Sequence, residues 1–281
     1  MSADLVIGID IGASGTGVAW GQRGTGEHKF LHWDETLDIV KTPTRVFYRG
    51  EDLIAWGLQA PDHQRSDVSV KEWFKLEADK DLKRKDTRKL YIDFMTCLYN
   101  ELSKRYAPEM LGKTSWEDAR IHFLFSVPAM WGDHTIDAFR DFASDAGFGR
   151  LSGHTLGIGM TEPQAVAAFE LSRSDAGARF KPGQVVLVVD AGGGTGARNA
   201  IGSIYIDEEF ELKAKQALES LQPGLGPEAE YLAWKMRSSP EFQDAKHEFG
   251  TNEELVYEFP VAAYSDDLKG PLQRESFVFN R

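Results

Sequence analysis

The chain opens with crowded apolar positions: Val6, Ile7, Ile9 and Ile11 fall within "DLVIGIDIG", too apolar for a sheet with one wet face. That predicts a short buried strand. "ASGTGVAWGQ" follows as a Gly/Ser/Thr turn entering a second strand, and "KTPTRVFYRGEDLIAWGLQA" reads as strand, glycine turn, strand. In "RKLYIDFMTCLYNELSKRY" the residues Leu90, Ile92, Phe94, Met95, Leu98 and Leu102 recur at helical intervals. The basic stretch of residues 80–90 before them reads as a solvated helix start. "ARIHFLFSVPAMW" predicts another fully buried strand, ended by Pro128. "DHTIDAFRDFASDAGF" predicts a helix with Ile136, Phe139, Phe142 and Ala143 on one face and Gly147 as its stop. "MTEPQAVAAFELSR" is a helix with Pro163 in its first turn and Glu162 just before it. A third buried strand lies at residues 185–189, "VVLVV". Beyond it, "YIDEEFELKAKQALESL" and "PEAEYLAWKMRSSPEFQDAKHEF" read as helical, and "ELVYEFPVAAY" and "ESFVFNR" as strands.

Composition narrows the class. With 281 residues the chain can form one large domain or two lobes with separate cores. Its 32 basic and 44 acidic residues give a net charge of −12, a field that repels nucleic acid and anionic membrane surfaces. Cys97 is the only cysteine, which excludes an internal disulfide and a thiolate metal cage, and helical spacing makes it a core residue. The seven histidines are scattered along the chain and each reads as a surface or core residue, not a ligand. The apolar run at the start is broken by Gly8 and Asp10 and has no basic region before it, unlike a signal peptide. No stretch approaches the roughly 20 apolar residues that cross a bilayer. The expectation is a soluble protein of a reducing, cytoplasmic compartment.

One pattern occurs twice: an apolar strand, an aspartate and a glycine-rich turn, at residues 5–17 and again at 185–196. Glycines let a chain take positive φ and bring bare N–H groups close to an anion. In the first turn Gly12, Ser14, Gly15, Thr16 and Gly17 supply such a cradle; in the second, Gly192, Gly193, Gly194 and Thr195 do the same. Asp10 and Asp190 each close a buried strand, where an unpaired carboxylate is costly. A hydrated Mg²⁺ bridging to phosphate would answer that cost, since Mg²⁺ keeps its waters and takes few protein ligands. Either turn alone also fits a plain hairpin; the repetition favours the phosphate reading. Neither is a Walker A loop, since no Gly-Lys-Ser/Thr follows, and neither is a dinucleotide-binding G-x-G-x-x-G opening a helix.

Four ordered segments carry a family resemblance: "IGIDIGASGTGVAW", "FLFSVPAMWGDHTIDAFRDFASDAGF", "MTEPQAVAAF" and "VVLVVDAGGGTG". Over residues 5–250 they resemble the nucleotide-binding domain of the 70-kilodalton heat-shock (DnaK-like) chaperones, which belong to the actin-like ATPase superfamily. The "IAWGLQA" and "EWFKLEADKD" stretches resemble the divergent branch that has no separate peptide-binding domain. The resemblance implies an α/β, actin-like (ribonuclease H-like), two-lobed fold. Residues 1–180 would form the first lobe, with a small upper subdomain at about 36–108, and residues 181–281 a truncated second lobe. It implies ATP and Mg²⁺ as ligands. Asp10 and Asp190 would hold the metal, and Gly12, Ala13 and Ser14 would meet the phosphates from one side. Gly192, Gly193, Gly194 and Thr195 would meet them from the other. Glu162 would order the attacking water or the metal's waters, Lys75 in "WFKL" would face the γ-phosphate with Lys71 as a rival, and Lys246 would line the adenine pocket. Asp10, Glu162, Asp190 and Lys75 form the implied catalytic set. Members open and close a cleft as ATP becomes ADP, so a protein partner would bind at the rim.

Departures from the family pattern are equally specific. Ala13 stands where the first turn carries a hydroxyl, a loss of about 1–2 kcal/mol of phosphate binding. Ala197 stands where an acid follows the second turn, and "GARNAIGSIYIDEEF" runs on where a strand, turn and strand are expected. Arg281 comes before any Gly-Gly-Ser/Thr turn that would hold ribose and adenine. The expectation is therefore an ATP-binding protein with impaired hydrolysis. Two alternatives stand beside it: a non-catalytic interaction module on a damaged nucleotide fold, and a sugar or acetate kinase using Asp133 in "WGDH".

Overall fold

The structure is a computed structural model and describes residues 4–34, 38–59, 61, 67–76, 82, 84–173, 188, 203–248, 257–264 and 276–279. The chain divides into two compact units, Met1–Arg198 and Asn199–Arg281.

In the first unit, β1 (Asp4–Ile11) turns into β2 (Gly15–Gln22) and then the two-residue β3 (Lys29–Phe30), all antiparallel. The short β4 (Lys41–Pro43) pairs with the start of β2. β5 (Arg45–Arg49), β6 (Asp52–Trp56) and β7 (Val68–Glu72) make a separate antiparallel sheet in the order β6-β5-β7. Helix α1 (Lys85–Glu101) runs through a π turn at Leu102–Tyr106 into α2 (Ala107–Leu111). Pro108 has no N–H for residue 104, and the wider turn accommodates its ring. β8 (Arg120–Val127) then lies parallel to β1, α3 (Asp133–Asp145) crosses over, β9 (His154–Thr161) lies parallel to β8, and α4 (Glu162–Ser172) follows. The main sheet has the order β3-β2-β1-β8-β9. The unit is thus α/β, an antiparallel meander continued by parallel strands with helical crossovers.

β9 is absent from the sequence reading because Gly157 and Gly159 interrupt the alternation of Leu156, Ile158 and Met160. The expectation that the opening strands are buried on both faces also needs correction. Leu5, Ile7, Ile9 and Ile11 of β1 and Ile121, Phe123, Phe125 and Val127 of β8 are buried, whereas the residues between them are only partly covered. The covered face meets α1 and α3 through edge-on rings. Phe125 lies 5.7 Å from Phe139 and Tyr91 5.8 Å from Phe139, while Phe123 lies 5.0 Å from Phe148. Phe74 joins the small sheet's exit to α1 by a 5.0 Å contact with Tyr91. In α1, Tyr91, Phe94, Met95 and Leu98 are buried, and Leu90, Ile92 and Cys97 pack at its margin.

The second unit contains α5 (Ser203–Leu221), α6 (Pro227–Arg237), α7 (Pro240–Glu248) and the antiparallel pair β10 (Tyr257–Pro260) and β11 (Ser276–Phe279). Phe210, Leu218, Leu232, Met236, Phe242 and Phe259 make its core. The stretch 227–249, read as helical, forms two helices, because the Ser239 hydroxyl accepts the Phe242 N–H at 3.2 Å and caps a new helix whose first residue is Pro240. Residues 261–264, expected to extend β10, form a 3₁₀ turn. No described helix is long and apolar enough to cross a membrane.

Replacing fully buried Phe123 by Ala should destabilise the chain by about 3–5 kcal/mol in urea denaturation followed by tryptophan fluorescence. Phe30→Ala, at a residue 54% exposed, should cost less than about 0.5 kcal/mol.

Candidate functional site

Because β1, β8 and β9 are parallel, their carboxyl ends fall on one edge of the sheet, the edge where open α/β sheets receive ligands. Asp10 is the penultimate residue of β1, and Ser126 is its neighbour on β8, donating its hydroxyl to Asp10 Oδ1 at 3.2 Å. Glu162 is the first residue of α4, directly after β9. A bulge sets its position: Phe125 pairs with Ile158 and Ser126 with Met160, so Gly159 is skipped, at φ +136°. Thr161 then caps α4, its hydroxyl accepting the Gln164 N–H at 3.4 Å while Gln164 Oε1 accepts the Thr161 N–H at 2.9 Å. Glu162 thus sits in the first helical turn, where the helix dipole favours an acid.

The β1–β2 turn is tight. The Gly12 N–H donates to the Gly15 carbonyl at 3.1 Å, and a Cβ on Gly12 would stand 2.5 Å from that oxygen. Ala13 is buried and Ser14 exposed, with the Ser14 carbonyl accepting the Thr44 N–H at 3.1 Å. Two members of the expected cradle are already committed. The Gly12 amide is spent inside the turn, and Thr16 is fully buried with its hydroxyl 2.9 Å from that of Thr44. Among the described residues, the N–H groups of Ala13 and Ser14 have no hydrogen-bond partner.

Asp10 is not the buried, unpaired carboxylate the sequence argument assumed. Its side chain is 41% exposed, and the Lys41 ammonium lies 3.3 Å from Oδ2. Lys41 is not among the sequence candidates, because only the pairing of β4 with β2 brings it to this turn. Lys75 lies in the helical turn of residues 74–76 after β7, almost fully buried, and its ammonium pairs with Glu162 Oε1. Lys71, its rival, is exposed on β7. The structure therefore brings Asp10, Ser126 and Lys41 together and, separately, Lys75 and Glu162. Asp133 is exposed in the first turn of α3.

In the second unit, Lys246 Nζ lies 2.6 Å from Asp207 Oδ1, and both side chains are buried, at 9% and 4% exposure. Its ammonium is thus engaged by an acid on α5. Asp190, Gly192, Gly193, Gly194, Thr195 and Ala197, with the strand expected at 185–189 save Val188, lie outside the described residues. Burial, reinforced by Asp93 and Glu101, pushes the Cys97 thiol up to about 11, as befits a packing residue and not a nucleophile. Among the described residues, no three metal-ligating side chains cluster. A surface groove of about 430 Å³ lies at the far end of β1, against Leu5, Trp20 and Met110, and contains none of these groups.

No protein-family model matches the chain, and no curated protein does. Among solved structures, the chain is similar to the crystal structure of MreB5 of Spiroplasma citri bound to ADP. The identity is 14% and the TM-score 0.34, over 56% of this chain and 38% of the other.

Gly12→Ala should destabilise the chain by about 1–3 kcal/mol in thermal denaturation, since its methyl meets backbone that cannot yield. Ser14→Ala, two residues on, should change stability by less than about 0.5 kcal/mol.

Proposed function

We propose that the first unit binds the polyphosphate of ATP at the carboxyl edge of β1, β8 and β9, as an actin-like protein of the heat-shock-70 type. The observation that carries this reading is the convergence on that edge of a bare glycine turn, the Asp10–Ser126 pair and two ammonium groups, Lys41 and Lys75. The N–H groups of Ala13 and Ser14, without a partner among the described residues, suit an anion, and lysines on the same edge offset its charge.

The donor set suits one cation in particular. A single half-exposed carboxylate with a hydroxyl beside it fits hydrated Mg²⁺, which retains most of its own waters, and does not fit a metal held in a protein cage. Asp10 would be its ligand here, and Asp190 the second that the resemblance implies. Bound there, the ion would neutralise phosphate oxygens and hold them in one orientation. Lys75 would approach the terminal phosphate, and Glu162 would hold the water that attacks it.

Three features support binding with impaired turnover. Ala13 offers no hydroxyl to phosphate, Ala197 replaces an acid, and Glu162 already accepts from the Lys75 ammonium through Oε1. ATP binding is therefore the assigned activity, and hydrolysis is assigned to relatives that carry the missing groups.

Isothermal titration of the whole chain with Mg-ATP should return a Kd weaker than about 10 µM, with Asp10→Asn weakening it further. Tighter binding would contradict the impairment. No heat at millimolar ATP, or binding indifferent to Asp10→Asn, would contradict the assignment itself.

A further inference from the structure

Three residues line up across the sheet at the glycine turn: Asp10 on β1 pairs with Gly17 on β2, and Gly17 pairs with Lys41 on β4. In a pleated sheet, residues opposite one another share a face. Asp10 and Lys41 therefore stand on the same side with an empty side-chain position between them. Thr16, one residue earlier, points to the other face and is buried against Thr44, which is what the alternation requires.

The Lys41 stem lies directly over Gly17: a Cβ there would be in ordinary van der Waals contact with it, 3.4 Å from Lys41 Cε and 3.6 Å from its Cγ. A Cβ on Gly15 would likewise meet Lys41 Cβ at 3.5 Å. The stem lies along the glycines and delivers the ammonium to Asp10 Oδ2 at 3.3 Å, while Ser126 donates to Oδ1. Both oxygens of the carboxylate are thus engaged by this chain's own groups. A cation arriving at Asp10 therefore competes with an ammonium already there for the same carboxylate charge.

Displacement is within reach. The two side chains are 59% and 41% exposed, and ion pairs so exposed are weak. Once released, the ammonium remains tethered over the turn on a flexible stem. On the reading that this turn holds a polyphosphate, it is then next to the anion.

We infer that Lys41 is a tethered counter-cation that occupies Asp10 when no metal is bound and passes to the phosphate when a divalent ion takes the carboxylate. The inference rests on the phosphate-binding reading above. It makes Lys41 a specificity-determining residue, one that disfavours metal without phosphate and favours the two together.

The test uses the full chain with two probes, Mn²⁺ followed by electron paramagnetic resonance and tripolyphosphate followed by calorimetry in excess Mg²⁺. Without nucleotide, Lys41→Met should tighten Mn²⁺ binding about two- to fivefold, the range an exposed ion pair allows. The same variant should weaken tripolyphosphate binding by at least a comparable factor, and Lys41→Arg should restore both. Because Lys41 is exposed, circular dichroism should show both variants folded. Mn²⁺ affinity unchanged or lowered in Lys41→Met would overturn the counter-cation role. A rise in Mn²⁺ affinity with tripolyphosphate binding unchanged would overturn the transfer to phosphate. If the wild type binds both probes and the variant changes neither, this inference falls and the phosphate-binding reading stands; if the wild type binds neither, both fall.

Discussion

The parallel register of β1, β8 and β9 is the constraint from which the site follows. Ile9 pairs with Phe125, which makes Asp10 and Ser126 neighbours, and Val127 pairs with Thr161, which brings α4 to the same edge. A slip of one residue would turn Asp10 into the core and carry Ile9 or Ile11 to the partly exposed face. The register is held by the alternation itself. Leu5, Ile7, Ile9 and Ile11 are fully covered, as are Ile121, Phe123, Phe125 and Val127, and aromatic rings from α1 and α3 pack against that face. Aromatic side chains bury large areas, so a misregistered sheet would forfeit the strongest hydrophobic contribution in the unit. Chemistry at the strand ends is thus a consequence of packing along the strands.

Electrostatics at that edge follow a single pattern. Among the described residues, both carboxylates that the phosphate reading invokes are already met by a lysine from an element outside the parallel strands: Lys41 from β4 for Asp10, and Lys75 from the turn after β7 for Glu162. The two pairs differ in burial. Lys75 and Glu162 are 11% and 22% exposed, so water screens them little, whereas Lys41 and Asp10 are largely open to solvent. One pair is suited to hold the small sheet against α4 and the other to exchange partners. The second unit places its charges differently, with Asp207–Lys246 and Arg237–Glu211 closing inside its own helical core.

Much of this was legible in the sequence, and the failures have definite causes. Strands and helices with strong periodicity, such as those around Ile7, Phe123 and Phe139, could be read directly. β9 could not, because Gly157 and Gly159 remove the side chains that carry the alternation, and Gly159 marks the bulge that aims Glu162. The break at Ser239 was hidden inside a helical pattern that a serine cap interrupts. At the site, Asp10, Gly12, Lys75 and Glu162 were nominated by motif. Lys41 was not, since it reaches Asp10 only through the pairing of β4 with β2, a contact that local spacing cannot reveal. Thr16 was nominated as a donor and proves to be an interior hydroxyl, because strand alternation assigns it to the opposite face from Asp10 and Gly17.

On the proposed reading, the edge formed by the ends of β1, β8 and β9 receives a polyphosphate at its glycine turn. Amide spectra of the full chain labelled with ¹⁵N-glycine, recorded while tripolyphosphate and Mg²⁺ are added, test it most directly. Progressive, saturable shifts are expected for Gly12, Gly15 and Gly17, with Gly50 and Gly112 unmoved. Shifts confined to glycines away from the turn, or none at saturating polyphosphate, would contradict it.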